Sequence, residues 1–345
     1  MKKSGILKIS LPIALLLCGG AIIWFSAVCK KGISAGLSIC AEAIIPSLFP
    51  FLCFSNFLAA ISDRIFVPKL FAKLHYKIFG LPELTFLPVL FSLIGGYPVG
   101  ACMADELYSK GKISKSEAQL MMLFCCNSGP AFGIVAIGVS LLNSRLTGIF
   151  IFISTTLAAL TAGMLIAPFH KTPQVRKANE LYKSDVSISD ALVASIEKST
   201  YSMLKICAWI IIFSMIYALF EQLKLPEYAN KIAAGIFEVT VGSKVNAPDC
   251  IAISAIMGFG GISVHFQIKE HLINAGVPSY KYFLSRLLVA ALSAFYMYAF
   301  VTFFPEAKPV FADSVTVIPT YAGYPFAAAL LFSLAVFIMG ERKRA

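Results

Sequence analysis

The chain reads as an all-α polytopic membrane protein. Three observations give that class. Of its 345 residues, 58% are hydrophobic and only 14% charged, where a soluble domain carries about 25% charged residues. Several apolar runs, such as residues 11–28 and 146–168, hold few or no charges and reach the roughly 20 residues a helix needs to cross a hydrocarbon core of about 30 Å. Finally, two apolar segments carry a glycine pair in their middle: Gly95-Gly96-Tyr97-Pro98-Val99-Gly100 and Gly260-Gly261-Ile262-Ser263-Val264-His265.

The net charge of +11 fits basic loops of a membrane protein. The basic residues are scattered, with no basic-aromatic patch, so no nucleic-acid partner is expected. The nine cysteines sit in or beside apolar runs and form no C-x-x-C pair; they read as small packing residues. Residues 11–28 follow Lys2, Lys3 and Lys8 with no small-residue cleavage site, so they read as a retained span.

Taken in order, residues 1–36 form the N-terminal span, closed by a basic link at Lys30-Lys31. A second apolar run, 44–61, opens with Pro46-Ser47 and Pro50. Segment 82–110 holds the first glycine pair, with Pro82 and Glu83 as a helix start and about 12 residues, some 18 Å of helix, before the break. An arm that short suits a re-entrant hairpin better than a straight span. Residues 119–142 are interrupted by Asn127-Ser128-Gly129-Pro130, which should unwind a helix at mid-depth. Residues 169–191 are a polar linker. The second half carries a hairpin at 248–275 and helices at 283–304 and 321–339.

The halves resemble each other. At an offset of 165, Gly95, Gly96, Val99, Leu107, Gly111 and Ser114 meet Gly260, Gly261, Val264, Leu272, Gly276 and Ser279. At an offset of 155, Leu37, Glu42 and Ser47 meet Leu192, Glu197 and Ser202. Residues 37–168 and 192–340 therefore read as two repeats, inverted if each hairpin returns to its own side, as in many secondary transporters. The expected count is seven crossings plus two hairpins, or eight crossings if one glycine segment spans. Seven leave Arg342-Lys343-Arg344 outside, against the positive-inside tendency.

Paired glycine-interrupted segments point to a solute site. The candidate substrate residues are Gly95, Gly96, Tyr97 and Pro98 with Gly260, Gly261, Ser263, His265 and Gln267 at the glycine segments. Asn127, Ser128 and Gly129 join them at the interrupted helix, and Ser47 with Ser202 as matched polar positions. Helix packing through small residues is the competing explanation for the glycines, and interhelical hydrogen bonding for Asn127 and Ser128. Lys205 reads as the only lysine inside a span, with no arginine in an apolar run, so half-helix N-termini would have to hold an anion. No zinc motif, catalytic triad or P-loop is present; no cofactor, metal site or enzymatic activity is expected.

At Pro46-Ser47-Leu48-Phe49-Pro50-Phe51, at Gly95-Gly96-Tyr97-Pro98-Val99-Gly100-Ala101 and at Asn127-Ser128-Gly129-Pro130-Ala131-Phe132, the chain resembles the sporulation integral membrane protein YlbJ (SpoVV) family. That resemblance covers essentially the whole chain. It implies a nucleoside-recognition Gate domain, distantly similar to concentrative nucleoside transporters, with hairpins and broken helices around a central site. It also implies movement of dipicolinic acid across the outer forespore membrane during endospore formation. A nucleoside-type transporter, or a structural or assembly protein of the spore envelope, are the alternatives. The bilayer and the small-molecule substrate are the expected partners, with a homo-oligomer or other sporulation membrane proteins as further candidates. Ser293-Ala294-Phe295 stands where a second Ser-Gly-Pro break would align.

Overall fold

A computed structural model describes residues 19–61, 65–170 and 187–308, together with Leu16. All regular structure among them is helical. Among the described residues, five helices are long and apolar enough to cross a membrane, or six if one sharply bent pair counts as a span. Large apolar side chains such as Trp24, Phe54, Leu204 and Phe295 stand exposed on the outside, as lipid-facing positions should. The helix expected at 321–339 and most of the first span lie outside the described residues.

Helix α1, Ser26–Ala60, is a single helix of 35 residues. Lys30 and Lys31 lie exposed within it, so the expected loop between two spans is absent, as is the boundary at residue 36. At 1.5 Å per residue the helix is about 52 Å long, more than a hydrocarbon core, so both ends can project into the polar interface. A π turn at Cys40–Ile44 precedes Pro46 and Pro50. It gives room to carbonyls that the proline rings would otherwise crowd.

Helix α2 (Lys69–Phe79) ends at Gly80 in the left-handed conformation, φ 66°. A bend of 94° separates it from the run Glu83–Gly95, which contains helix α3 (Phe86–Gly95). Helix α4 (Tyr97–Ser109) then returns alongside α3. Val89 and Ala104 share one packed cluster, although 15 residues of straight helix would hold them about 22 Å apart. The turn is Gly96, at φ 87° and ψ −174°, a conformation open to glycine and costly for any other residue.

Helix α5 (Lys115–Phe124) opens with a capping box: Glu117 N donates to Ser114 Oγ at 3.3 Å and Ser114 N donates to Glu117 Oε2 at 2.6 Å. It stops at Phe124, and helix α6 (Ala131–Leu141), wound throughout as a π-helix, resumes after Pro130. Helix α7 (Arg145–Ile166) runs back antiparallel to both. Gly138 faces Gly148, Gly133 faces Phe152 and Gly163 faces Phe124, so α5 and α6 together cover the depth of α7. Helix α8 (Ile188–Glu221) packs antiparallel on α1, with Gly36 against Ile211 and Gly32 against Met215.

The second half departs from expectation. Helices α9 (Glu227–Phe237) and α10 (Val239–Asn246) fold back on each other, with Gly242 on Gly235 and Asn246 Nδ2 donating to Lys231 O at 3.0 Å. The hairpin of this half is therefore 227–246, and its tip is Glu238. The glycine segment follows as α11 (Cys250–Phe259), α12 (Gly261–Gln267) and α13 (Lys269–Asn274). It does not turn back. Cys250 lies near Lys308, beyond the C-terminus of helix α14 (Ser279–Phe303), whereas Gly276 O accepts from Gln119 Nε2 at 2.8 Å beside the start of α14. In between, Gly258 packs on Ala290 and Ser293. Residues 250–276 thus travel the length of a 25-residue helix and do not turn back as the expected hairpin 248–275. Cys250–Gln267 is apolar and long enough to cross, and α13 lies beyond it. Helix α14 runs unbroken through Ser293-Ala294-Phe295.

The α5–α6 break is held by Arg286 of α14, which is fully buried. Its Nη1 donates to Cys126 O and, at 3.2 Å, to Asn127 Oδ1, and its Nη2 to Leu123 O at 2.7 Å. These carbonyls are acceptors freed where α5 ends. The planar guanidinium suits such a fork, and the positive charge suits the negative end of the helix dipole. This corrects the expectation of no arginine within an apolar run. At the membrane edge, Asp105 of α4 accepts from His271 Nδ1 of α13 at 2.7 Å, while His271 Nε2 lies 3.2 Å from Cys102 Sγ.

Two measurements test these ties. Arg286→Met leaves Leu123 O and Cys126 O unpaired, at about 1–3 kcal/mol per buried acceptor, and should lower the thermal midpoint of the purified protein in detergent by several degrees; an unchanged midpoint would show the break does not rest on Arg286. Burial alone would lower the pKa of His271, but Cys102 and Asp105 outweigh it and raise the group to about 9 from its ordinary 6.5. The stabilisation is complete below the unfolded value of 6.5 and is lost as pH rises through about 9. The midpoint should fall across that window, and Asp105→Asn should flatten the fall.

Candidate functional site

Both hairpin tips, the α5–α6 break and helix α12 beyond the second break meet at one cavity. Ile94–Pro98 come from the α3–α4 tip, Gly129, Ala131 and Phe132 from the α5–α6 break, and Glu238–Thr240 from the α9–α10 tip. Val264 and Gln267 of α12 complete one wall, and Ile44, Leu48, Phe51, Ile206 and Ile210 of α1 and α8 the other. The space open to the centre of a water molecule is about 30 Å³, enough for water, which needs roughly 10–15 Å³, and too small for a ring-sized solute.

Contacts between the breaks explain the glycines. A side chain on Gly129 would strike Ile94 O at 2.5 Å and Gly96 N at 3.0 Å. Gly261, at φ 71°, would meet Val239 N at 3.2 Å and Glu238 Cα at 3.3 Å. Gly260 faces the ring of Tyr97, whose hydroxyl donates to Met257 O at 2.7 Å. Each tip thus rests on the break of a neighbouring crossing, and Tyr97 joins the two sets.

The electrostatics of the cavity are uneven. Helices α4 and α6 begin at it with no side-chain cap. Val99 N already donates to Gly96 O, and Phe132 N and Gly133 N to Gly129 O, so what each helix offers the cavity is chiefly the positive end of its dipole, about half an elementary charge for a full helix. Helix α10 also begins there, but Glu238 caps it. Glu238 Oε2 accepts from Thr240 N and Val241 N, both at 2.7 Å, and Oε1 accepts from Thr240 Oγ1 at 3.3 Å. The carboxylate is buried.

Of the residues singled out in the sequence, Gly95, Gly96, Tyr97, Pro98, Gly129 and Gln267 line the cavity. Gly260 and Gly261 support its wall from behind. Asn127 and Ser128 do not line it: Asn127 Nδ2 donates to Phe124 O at 2.5 Å while its Oδ1 faces Arg286, and Ser128 Oγ lies 3.4 Å from Thr155 Oγ1. His265 Nδ1 donates to Gly261 O at 2.7 Å, and its ring stands edge-on to Tyr282. Ser263 is buried within α12, its hydroxyl without a partner among the described residues. Ser47 Oγ donates to Ala43 O at 2.5 Å within α1, and Ser202 is half-buried on α8 away from the cavity. Lys205 pairs with Glu270 at 3.6 Å on the outside.

Two charged residues escaped the sequence reading. Arg286 stands within the apolar run 283–304, and an ionisable group there is a functional signal by default. Glu238 is a lone acid in the apolar stretch 232–243, flanked by Gly235 and Gly242, a small-residue pair that lets two short helices fold together.

No family model matches the chain, and no solved structure matches it. Among curated proteins, it is 24% identical over 305 residues, 76% of this chain and 75% of the relative, to the sporulation integral membrane protein YlbJ of Bacillus subtilis (strain 168). With its long apolar helices and buried polar centre, the chain is distantly similar to that integral membrane protein.

Proposed function

We propose that the chain is a transporter of a small anionic solute, acting in endospore formation. The observation that carries this reading is the convergence of two hairpin tips and two broken crossings on one cavity. A structural protein has little use for unwound backbone at that depth, because each freed N–H and C=O must be satisfied away from water. The N-termini of α4 and α6, which no side chain caps, turn the positive ends of their dipoles to the cavity, as suits an anion. Likeness to a sporulation membrane protein sets the context, and dipicolinate at the outer forespore membrane is the first solute to test.

Alternating access follows from the order of elements. Each half runs as a span, a hairpin, a broken span and a span: α1, α3–α4, α5–α6 and α7, then α8, α9–α10, α11–α12 and α14. The first hairpin enters from the side of Lys115 and the second from the side of Lys308. We read this as an inverted repeat in which the first glycine pair corresponds to Glu238, and Asn127-Ser128-Gly129-Pro130 to Gly260-Gly261. Rocking of one half against the other would open the cavity to each side in turn.

Purified protein in liposomes should take up dipicolinate above protein-free vesicles, and uridine much less. Gly96→Leu forces a side chain onto φ 87° and Gly261→Leu presses it against Val239 and Glu238; at about 1–3 kcal/mol each, both should lower the rate about tenfold or more. Lys205→Gln, on the outer surface, should do far less. Uptake of uridine alone would replace the solute; loss on Lys205→Gln with normal glycine variants would move the anion site to that lysine.

A further inference from the structure

We propose that Glu238 is the proton-binding group that couples transport, a step that rests on the transport reading above. Its carboxylate takes up a proton as the anion enters the cavity and releases it as the anion leaves.

The argument starts from charge. Glu238 lines the same small cavity as the uncapped starts of α4 and α6. Its hydrogen-bond donors are all neutral: two backbone N–H groups and one hydroxyl. No lysine, arginine or histidine forms an ion pair with it among the described residues. The titratable groups facing it are Tyr97 of α4 and Cys40 of α1, neither of which supplies a positive charge. His265 of α12 turns to Gly261 O and Tyr282, and Lys205 of α8 to Glu270. An anion entering the cavity therefore meets an uncompensated carboxylate in a water-poor site, where like charges repel far more strongly than in bulk water.

Geometry selects a proton as the neutralising ion. Oε2 is committed to two short N–H bonds at the N-terminus of α10, whereas Oε1 has only the 3.3 Å contact with Thr240 Oγ1. A proton can add to Oε1 as an O–H bond while the Oε2 cap stays intact. A metal ion would have to share the carboxylate with the positive end of that helix. The cycle balances: water on the entry side gives the proton, Glu238 carries it as a neutral acid, and water on the exit side takes it back.

The test uses full-length protein in liposomes, with potassium and valinomycin clamping the membrane potential and dipicolinate as the probe. With the outside about one pH unit more acidic, the wild type should accumulate dipicolinate roughly tenfold per proton carried, since each tenfold ratio answers to about 1.4 kcal/mol. A lumenal pH dye should report acidification during uptake. Glu238→Gln keeps an oxygen to cap α10 and should lose the response: whatever dipicolinate it takes up should reach the same level with and without the gradient. Gradient-driven accumulation in Glu238→Gln overturns the proposal, as does wild-type uptake without lumenal acidification, or uptake driven by sodium instead. The wild-type proton count decides even if the variant fails to fold. A wild type that moves no dipicolinate at all overturns the transport reading, and the coupling with it.

Discussion

The buried guanidinium of Arg286 is the interaction on which the centre of the molecule depends. Stopping a helix in mid-membrane frees carbonyls that lipid cannot satisfy, and a lone arginine in the same place would be costly. Each solves the other's problem. Leu123 O, Cys126 O and Asn127 Oδ1 give the charge its acceptors, and the charge faces the negative end of α5. With that end fixed, Gly129 can press on Ile94 and Gly96, and the α3–α4 tip is held against the break.

The cavity inherits its character from this arrangement. Chain breaks turn backbone groups, otherwise hidden in helices, into site chemistry. Two of the helices starting at the cavity leave their first N–H groups uncapped, and the third is closed by a carboxylate. Positive and negative features line the same space, which admits little more than water. Such a site is suited to holding an anion only when the acidic wall is quiet.

Much of the fold was legible residue by residue. Among the described residues, apolar runs such as 146–168 and 283–304 are long helices, the Asn127-Ser128-Gly129-Pro130 break is a break, and Gly95, Gly96, Tyr97 and Pro98 reach the cavity. Matching the two glycine pairs misled the rest. Gly-Gly in an apolar helix says that the chain breaks, and says nothing about whether it then turns back or goes on. At Gly96 it returns because α4 packs beside α3; at Gly260 it continues because α14 offers a full-length antiparallel partner. The true second tip at Glu238 carries no glycine, since its extended backbone, φ −150° and ψ 133°, is open to any residue.

Composition and breaker residues alone fix the class of the protein: an apolar, helical, polytopic chain with glycine and proline breaks inside its apolar runs. Local chemistry suffices for that, because hydropathy sets what enters the bilayer and proline and glycine set where a helix cannot continue. Only the tertiary structure decided which breaks are hairpin tips and which polar residues reach the cavity. Those outcomes rest on contacts between residues more than a hundred positions apart, such as Arg286 with Asn127 and Tyr97 with Met257, and no local pattern encodes them.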